Sequence, residues 1–364
     1  MAIHFQSFEI DAFRGIRNFN IPSLNHVNIL VGDNNCGKTS ILEAMMLLRA
    51  PTNLADIIQV SKQRDSVFWA NRVSLYESFI NIFPKDSEEQ GIELRACYDN
   101  NHINYSIKGR RHLILLDDYM ETLYRPNLAR RNLPAETEAF EGRIEWRIGE
   151  IQEYESVFFH EYMSAQRMVL NHKRFANIVY LSPVDHVKNN IINGIVRIEG
   201  YKEICLRIIQ LFDPEIKDLL ILKNEQTNRP VEYIKHQKLG NMPVSSYGDG
   251  IKKVLLLANA VVQAAGGILL IDEIETAIHM KYYQDIFQFV IKACHQYDIQ
   301  LFITTHNIEV VDALLFTQDY ELQKSNDNIN VITLKKGPDR NYTRVLSGRE
   351  VFQDREAFDF EVRL

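Results

Sequence analysis

The stretch LVGDNNCGKTS, residues 30 to 40, constrains this chain more than any other. Gly32-Asp33-Asn34-Asn35-Cys36-Gly37-Lys38-Thr39 satisfies the pattern G-x-x-x-x-G-K-[ST] in full. Glycines let successive backbone N–H groups turn inward on phosphate oxygens. The helix N-terminus behind them adds partial positive charge, and the lysine reaches the outer phosphates. The context is the one such a loop needs: HVNILVG is a short apolar strand leading into it, and ILEAMMLLRA is a run of helix formers ended by Pro51. By composition alone a match this specific arises in roughly one chain in a hundred of this length, and the flanking strand and helix lower that further. Gly32, Asp33, Asn34, Asn35, Cys36, Gly37, Lys38, Thr39 and Ser40 are therefore candidate nucleotide contacts, with the Thr39 hydroxyl placed for Mg2+. Cys36 reads as a small loop filler rather than a redox thiol.

The last third of the chain supplies what a phosphate loop requires. SSYGDGIKKVLLLANAVVQAA opens on small and turn-forming residues and continues as an apolar helix. GGILLIDEIE is a buried strand ending in two acids, IHMKYYQDIFQFVIKACHQY a helix, and IQLFITTHN a second buried strand ending in His306. Strands alternating with helices indicate a parallel α/β sheet. At the carboxyl edge of such a sheet Asp272 can help hold Mg2+, and Glu273 can polarise a water. Lys38 and Asp272 are too far apart in sequence for a compact GTPase, so a large segment separates the two halves of the site.

That segment, 51 to 175, has a different character. GIELRACY and INYSIK flank the turn DNNH and predict an antiparallel hairpin, with mixed-charge stretches such as RRHLILLDDYMETLYR around it read as helical. Further on, IVYLSP predicts a buried strand and YKEICLRIIQLFDPEIKDLLIL a helix followed by a strand. The tail from 329 reads as a hairpin around Gly337-Pro338.

With 364 residues, 46% of them hydrophobic and a net charge of −7, the chain can build sizeable cores and carries no overall basic footprint. Its basic runs, Arg110-Arg111-His112 and Arg130-Arg131, sit among acidic residues and read as solvated faces. Cys36, Cys97, Cys205 and Cys294 are widely spaced, which argues against zinc or a disulfide framework and for a reducing cytoplasm. No signal layout and no long uncharged apolar run points to a membrane.

The order of phosphate loop, long insertion, Ser/Gly-rich helix start, Asp-Glu strand and strand ending in histidine resembles the ABC-type ATPase head. The segments FRGIRNFNIPSLNHVNILVGDNNCGKTSILEA, SSYGDGIKK, LLIDEIETAIH, FITTHN and FEVRL resemble the stand-alone AAA-labelled ATPases related to RecF, SMC proteins and OLD-family nucleases. The resemblance implies an α/β P-loop NTPase fold: an ABC-ATPase head with a mixed β-sheet, an antiparallel β subdomain and a helical insertion. Residues 1–50 and 176–364 would form the head and 51–175 the insertion. It implies ATP and Mg2+ as ligands, Lys38 and Thr39 on phosphate and metal, and Asp272 completing the metal shell. It also implies Glu273 as general base and His306 on the γ-phosphate. Ser246, Gly248 and Asp249 would meet the nucleotide held by a second subunit, with Tyr247 standing where a glycine is expected. The ETAIH loop, Glu275 to His279, would lie at that seam, while Arg14 is open between a nucleotide contact and a surface role. The expected activity is a dimerising, ATP-driven switch, the sensor of an anti-phage module acting with a separate nuclease or toxin. The alternative is a RecF-like or SMC-like ATPase that binds DNA.

Overall fold

In the computed structural model the described residues are 3–64, 73–85, 90–115, 136–163, 174–187, 191–224, 228–320, 327–337, 341–358 and 361–362. The chain begins with a hairpin, β1 (Phe5–Phe13) and β2 (Ile16–Ile21). Next comes β3 (Val27–Gly32), buried along its whole length. Gly37, at φ 106°, turns the chain into the helix Lys38–Leu47. Every residue of that helix except Thr39 is buried, as expected of a helix apolar on nearly all sides. Thr39 is thus the one position on it that faces open space.

Four longer strands follow: β4 (Gln90–Tyr98), β5 (Asn101–Leu115), β6 (Glu136–Ile148) and β7 (Ile151–His160). The expected turn joins the first two. Asp99 and Asn100 have φ of 46° and 63°, the paired left-handed conformation of a type I′ hairpin, which Asp and Asn tolerate better than most residues. One expectation fails here. Arg110 to Leu115, read as the start of a helix, forms the distal half of β5, paired with Glu136–Glu141 of β6. Its basic residues face acids, Arg110 directly across from Glu141 and Arg111 diagonally across from Glu138 at 3.6 Å, so cross-strand charge decides over helix propensity. The rest of that stretch, and Arg130-Arg131, fall outside the described residues.

Downstream lie β8 (Ile178–Leu181), the helix Tyr201–Ile209, and a small sheet of β9 (Ile216–Lys223), β10 (Pro230–His236) and β11 (Gly240–Pro243). The helix Asp249–Gln263 leads to β12 (Ile268–Ile271), the helix Tyr283–Gln296 to β13 (Gln300–Thr304), and the helix Ile308–Leu315 to β14 (Ile329–Lys336). The chain then turns back through β15 (Asn341–Ser347) and a last helix, Gly348–Phe358. The hairpin expected in the tail is present, although Pro338 in its turn is outside the described residues.

Two six-stranded sheets organise the molecule. One, β15-β14-β3-β13-β12-β8, is parallel except for β15; the other, β2-β1-β4-β5-β6-β7, is antiparallel. The mixed sheet lies between two apolar clusters. One contains Ile29, Leu269, Ile271 and Ile303 with the helices that follow the Ser/Gly-rich turn. The other contains Leu30, Leu270 and Phe302 with the phosphate-loop helix and the antiparallel sheet. Buried Gln300 ties the sheets together: its side chain accepts from the Phe5 N–H at 2.8 Å and donates to the Phe5 carbonyl at 2.8 Å. Such a pairing satisfies the backbone groups of Phe5 on the side where β2 does not reach it and where water is excluded. No helix among the described residues is long and apolar enough to cross a membrane.

Candidate nucleotide site at the carboxyl edge of the mixed sheet

Register decides what meets what. Ile271 pairs with both Leu181 and Ile303, and Thr304 with Leu30, so the ends of β3, β8, β12 and β13 stand level. Gly32, which closes β3, and Ser182, Asp272 and Thr305, which follow the other three strands, line one edge, where open α/β sheets bind ligands. Gly32 can be nothing else. It lies beside Leu334 of β14 so closely that a Cβ would stand 2.3 Å from the Leu334 carbonyl oxygen, and its φ of 145° would strain any side chain.

Within the loop the Lys38 ammonium, nearly buried, donates to the Gly32 and Asp33 carbonyls at 2.7 and 2.9 Å. It is held at the mouth of the loop rather than free in solvent. Cys36 is buried in the apolar cluster, as a loop filler would be. Its carbonyl accepts from the Asn341 side chain at 3.2 Å, a brace supplied by β15. Arg14 faces the same helix from outside, its Nε 2.9 Å from the buried Glu43 carboxylate.

Asp272 is the hub. It is 3% exposed, and its carboxylate accepts from the Thr39 hydroxyl at 2.9 and 3.1 Å, from the Thr304 hydroxyl at 2.5 Å and from the Tyr180 hydroxyl at 3.3 Å. Burial, reinforced by the Asp272 and Glu43 carboxylates, pushes the Tyr180 phenol far above its ordinary pKa, so it stays a donor. Thr304 also accepts from the Glu273 N–H at 2.9 Å. Glu273 itself has φ 45°, a strained value for a non-glycine residue that persists only where its surroundings enforce it. Its half-exposed carboxylate lies 4.0 Å from His306 Nδ1. His306 is also 3.6 Å from Glu275, which accepts from the Thr305 hydroxyl at 2.7 Å.

The residues singled out in the sequence thus fall into two groups. Lys38, Thr39, Asp272, Glu273 and His306 converge at one edge. Ser246, Gly248 and Asp249 stand exposed at the start of the helix Asp249–Gln263, and among the described residues they make no hydrogen bond to their own phosphate loop. That helix has no side-chain cap at Gly248, so its first N–H groups face outward. Tyr247, in the position expected for glycine, has φ −87°, an extended value any residue adopts, so the departure carries no backbone strain. Thr304, Tyr180 and Asn341 are members of the site that the sequence did not reveal. A threonine, a tyrosine and a hairpin asparagine are ordinary in strands, and nothing in their spacing marks them.

The donor set suits a magnesium nucleotide: a hydroxyl and a carboxylate side by side, both hard oxygen ligands, next to an ammonium and a loop of inward N–H groups. Another polar cluster does not suit a metal. Asp213, Glu215 and His236 lie close together, but His236 Nδ1 accepts from the Lys238 and Leu239 amides, both at 3.1 Å. Its proton therefore sits on Nε2, 3.1 Å from Asp213, where it serves as a hydrogen-bond donor.

Comparison with known proteins agrees with this geometry. The profile of a family described as "AAA domain, putative AbiEii toxin, Type IV TA system" matches residues 148–312, and that of a "Protein of unknown function (DUF2813)" matches residues 3–63. An "ATP/GTP phosphatase" of Helicobacter pylori is 22% identical over 343 residues, covering 87% of this chain and 90% of that one. An uncharacterized protein of Methanocaldococcus jannaschii is 32% identical over 91 residues, 25% of this chain and 40% of its own length. Among solved structures, an SMC head bound to the C-winged helix domain of ScpA superposes with a TM-score of 0.52 at 12% identity, covering 96% of this chain and all of that one. With its phosphate loop and its Asp-Glu strand, the chain has an SMC-head-like P-loop fold of mixed and antiparallel sheets, and over residues 148–312 it resembles the AAA family.

Proposed function

We propose that this protein hydrolyses ATP with Mg2+ and uses the nucleotide to close a homodimer. The observation that carries the reading is the split site. Thr39 and Asp272 are bonded together beside Lys38, while the exposed turn Ser246–Asp249 makes no bond to them. An uncapped helix start is a ready phosphate binder, and a second copy would bring its own to the open face of the loop.

In this reading Lys38 and the loop amides hold the phosphates, and Thr39 with Asp272 holds the metal, which would neutralise charge on the β- and γ-phosphates. Glu273 takes the proton of the attacking water as its oxygen bonds to the γ-phosphorus. The bond from that phosphorus to the bridging oxygen breaks, leaving ADP and phosphate. His306 hydrogen-bonds the outer phosphate. The family match to a toxin–antitoxin description supports a role in a two-part anti-phage module with a separate nuclease or toxin. The DNA-binding alternative draws less support from the antiparallel sheet. Arg95, Lys108, Arg110, Arg111 and Arg143 each lie within ion-pair distance of an acid there, so the charge of these five cations is already countered.

The test is E273Q, assayed with ATP and with GTP. The expected result is turnover in the wild type, a loss of about 100-fold or more in the variant, and retained nucleotide binding. With ATP the variant should double in mass by sedimentation. Turnover equal to wild type would remove Glu273 from the chemistry, and a persistent monomer would remove the switch.

A further inference from the structure

Lys253 is the feature of the fold that the reading above leaves unexplained. It lies on the helix Asp249–Gln263, one turn beyond Asp249, in a position whose neighbours on the buried face are Ile251, Val254 and Leu257. Its side chain is 0% exposed, and among the described residues its ammonium nitrogen has no hydrogen-bond partner. An isolated charge in such a place is costly, so its retention calls for a cause. Burial pulls its pKa down to about 8, opposed by the carboxylates of Glu275, then Asp185, Asp272 and Glu273. The helix that begins at the exposed Ser/Gly turn therefore sends a cation toward the acids of the nucleotide site.

Of these acids Glu275 opposes that shift most strongly. One of its oxygens, Oε1, is taken by the Thr305 hydroxyl and approached by the His306 N–H at 3.4 Å. The other, Oε2, is buried and carries no hydrogen bond among the described residues. A Cβ at Gly250 would stand 3.3 Å from the Ala277 carbonyl oxygen, so the start of the Lys253 helix packs on the Glu275–His279 loop, and beyond Glu275 stand His306 and Glu273.

We propose that Lys253 is a positioning residue that couples the Ser246–Asp249 turn, through Glu275, to the His306–Glu273 pair. The inference rests on the functional reading above. When a phosphate is gripped at the start of the helix, Lys253 moves with the same rigid turn. Its charge fixes the free oxygen of Glu275, and Glu275 sets the orientation of Thr305 and His306 opposite Glu273. Hydrolysis is in this way made conditional on the partner's engagement.

The experiment compares K253M, E275Q, the double variant and E273Q in the full-length protein, with K253Q as a second choice should the methionine variant misfold. K253M should keep the nucleotide KM within about twofold while kcat falls about tenfold, the range seen when an outer partner of a site is lost. Because an unpaired buried charge has been removed, its melting temperature should equal or exceed that of the wild type, so the lost rate is not lost folding. The double variant should be no slower than the slower single variant. Wild-type kcat in K253M, a kcat that falls only in step with melting temperature, or losses that multiply in the double variant would each overturn the proposal. Wild-type turnover no higher than that of E273Q would overturn the functional reading itself and this inference with it.

Discussion

Thr304 holds two groups in place with one hydroxyl: it donates to Asp272 and accepts from the strained Glu273 amide. T304V keeps the shape and removes both bonds. The buried Glu273 N–H is then left without an acceptor, which costs about 1–3 kcal/mol, and the left-handed backbone at Glu273 loses its restraint. Urea unfolding should show that loss of stability, and turnover should fall more than nucleotide affinity. Lys253 gives a pH test at the same scale. Its pKa is about 8 in the folded protein against an ordinary 10.5, so between those values the unfolded chain binds more protons than the folded one. Stability contributed by this residue must therefore rise as pH climbs from 8 to 10.5 and be flat below 8. The groups facing it, Glu275, Asp185, Asp272 and Glu273, oppose the shift without reversing it. Denaturation of wild type and K253M across that window should show the rise in wild type alone. The residues most legible in the sequence were those whose chemistry fixes their type: Lys38, Thr39, Asp272 and Glu273. Thr304 and Tyr180 stayed hidden because they act through register, which brings them to a loop more than a hundred residues away in sequence.

At the level of elements, the antiparallel sheet depends on an aromatic knot. Phe140 on β6 packs against Phe79 and Phe83 of the preceding helix and turn at ring separations of 5.2 and 5.1 Å, with Phe159 of β7 touching Phe79 at 5.4 Å. The Phe140 ring also covers the cross-strand pair Gly109 and Gly142, where a Cβ would run into backbone oxygens at 2.5 and 2.4 Å. F140A should destabilise the protein by about 3–5 kcal/mol, read as a lower urea midpoint, while nucleotide binding by the folded fraction stays unchanged. The strands of the mixed sheet could be read directly, since runs such as ILLI and FIT are apolar on both faces and bounded by clear breakers. The distal half of β5 could not. Arg110 to Leu115 alternates weakly, with Leu113 and Leu115 about 70% exposed, and its strand form comes from the facing strand rather than from its own pattern.

At the scale of the whole molecule, the proposed closure of two copies around nucleotide can be tested at Ser246. Ser246 is exposed at the helix start and among the described residues makes no hydrogen bond to its own phosphate loop, so a charge placed there should leave binding alone and prevent closure. S246E should bind ATP as the parent does, yet S246E/E273Q should sediment as a monomer with ATP, where E273Q alone sediments as a dimer. Like-charge repulsion against a γ-phosphate supplies the effect. The SMC-like outline could be anticipated from motif order, but the way the two large sheets are joined could not. They meet edge to edge at β2 and β15, where Asn341 accepts from the Arg17 N–H at 3.3 Å while bracing the Cys36 carbonyl, and Thr343 donates to the Asn20 carbonyl at 2.9 Å. One amide side chain therefore works as a shared rivet for the platform that carries the long outer strands and for the cradle around the phosphates. Whatever tugs on the tip of those strands pulls, through that rivet, on the floor of the cradle.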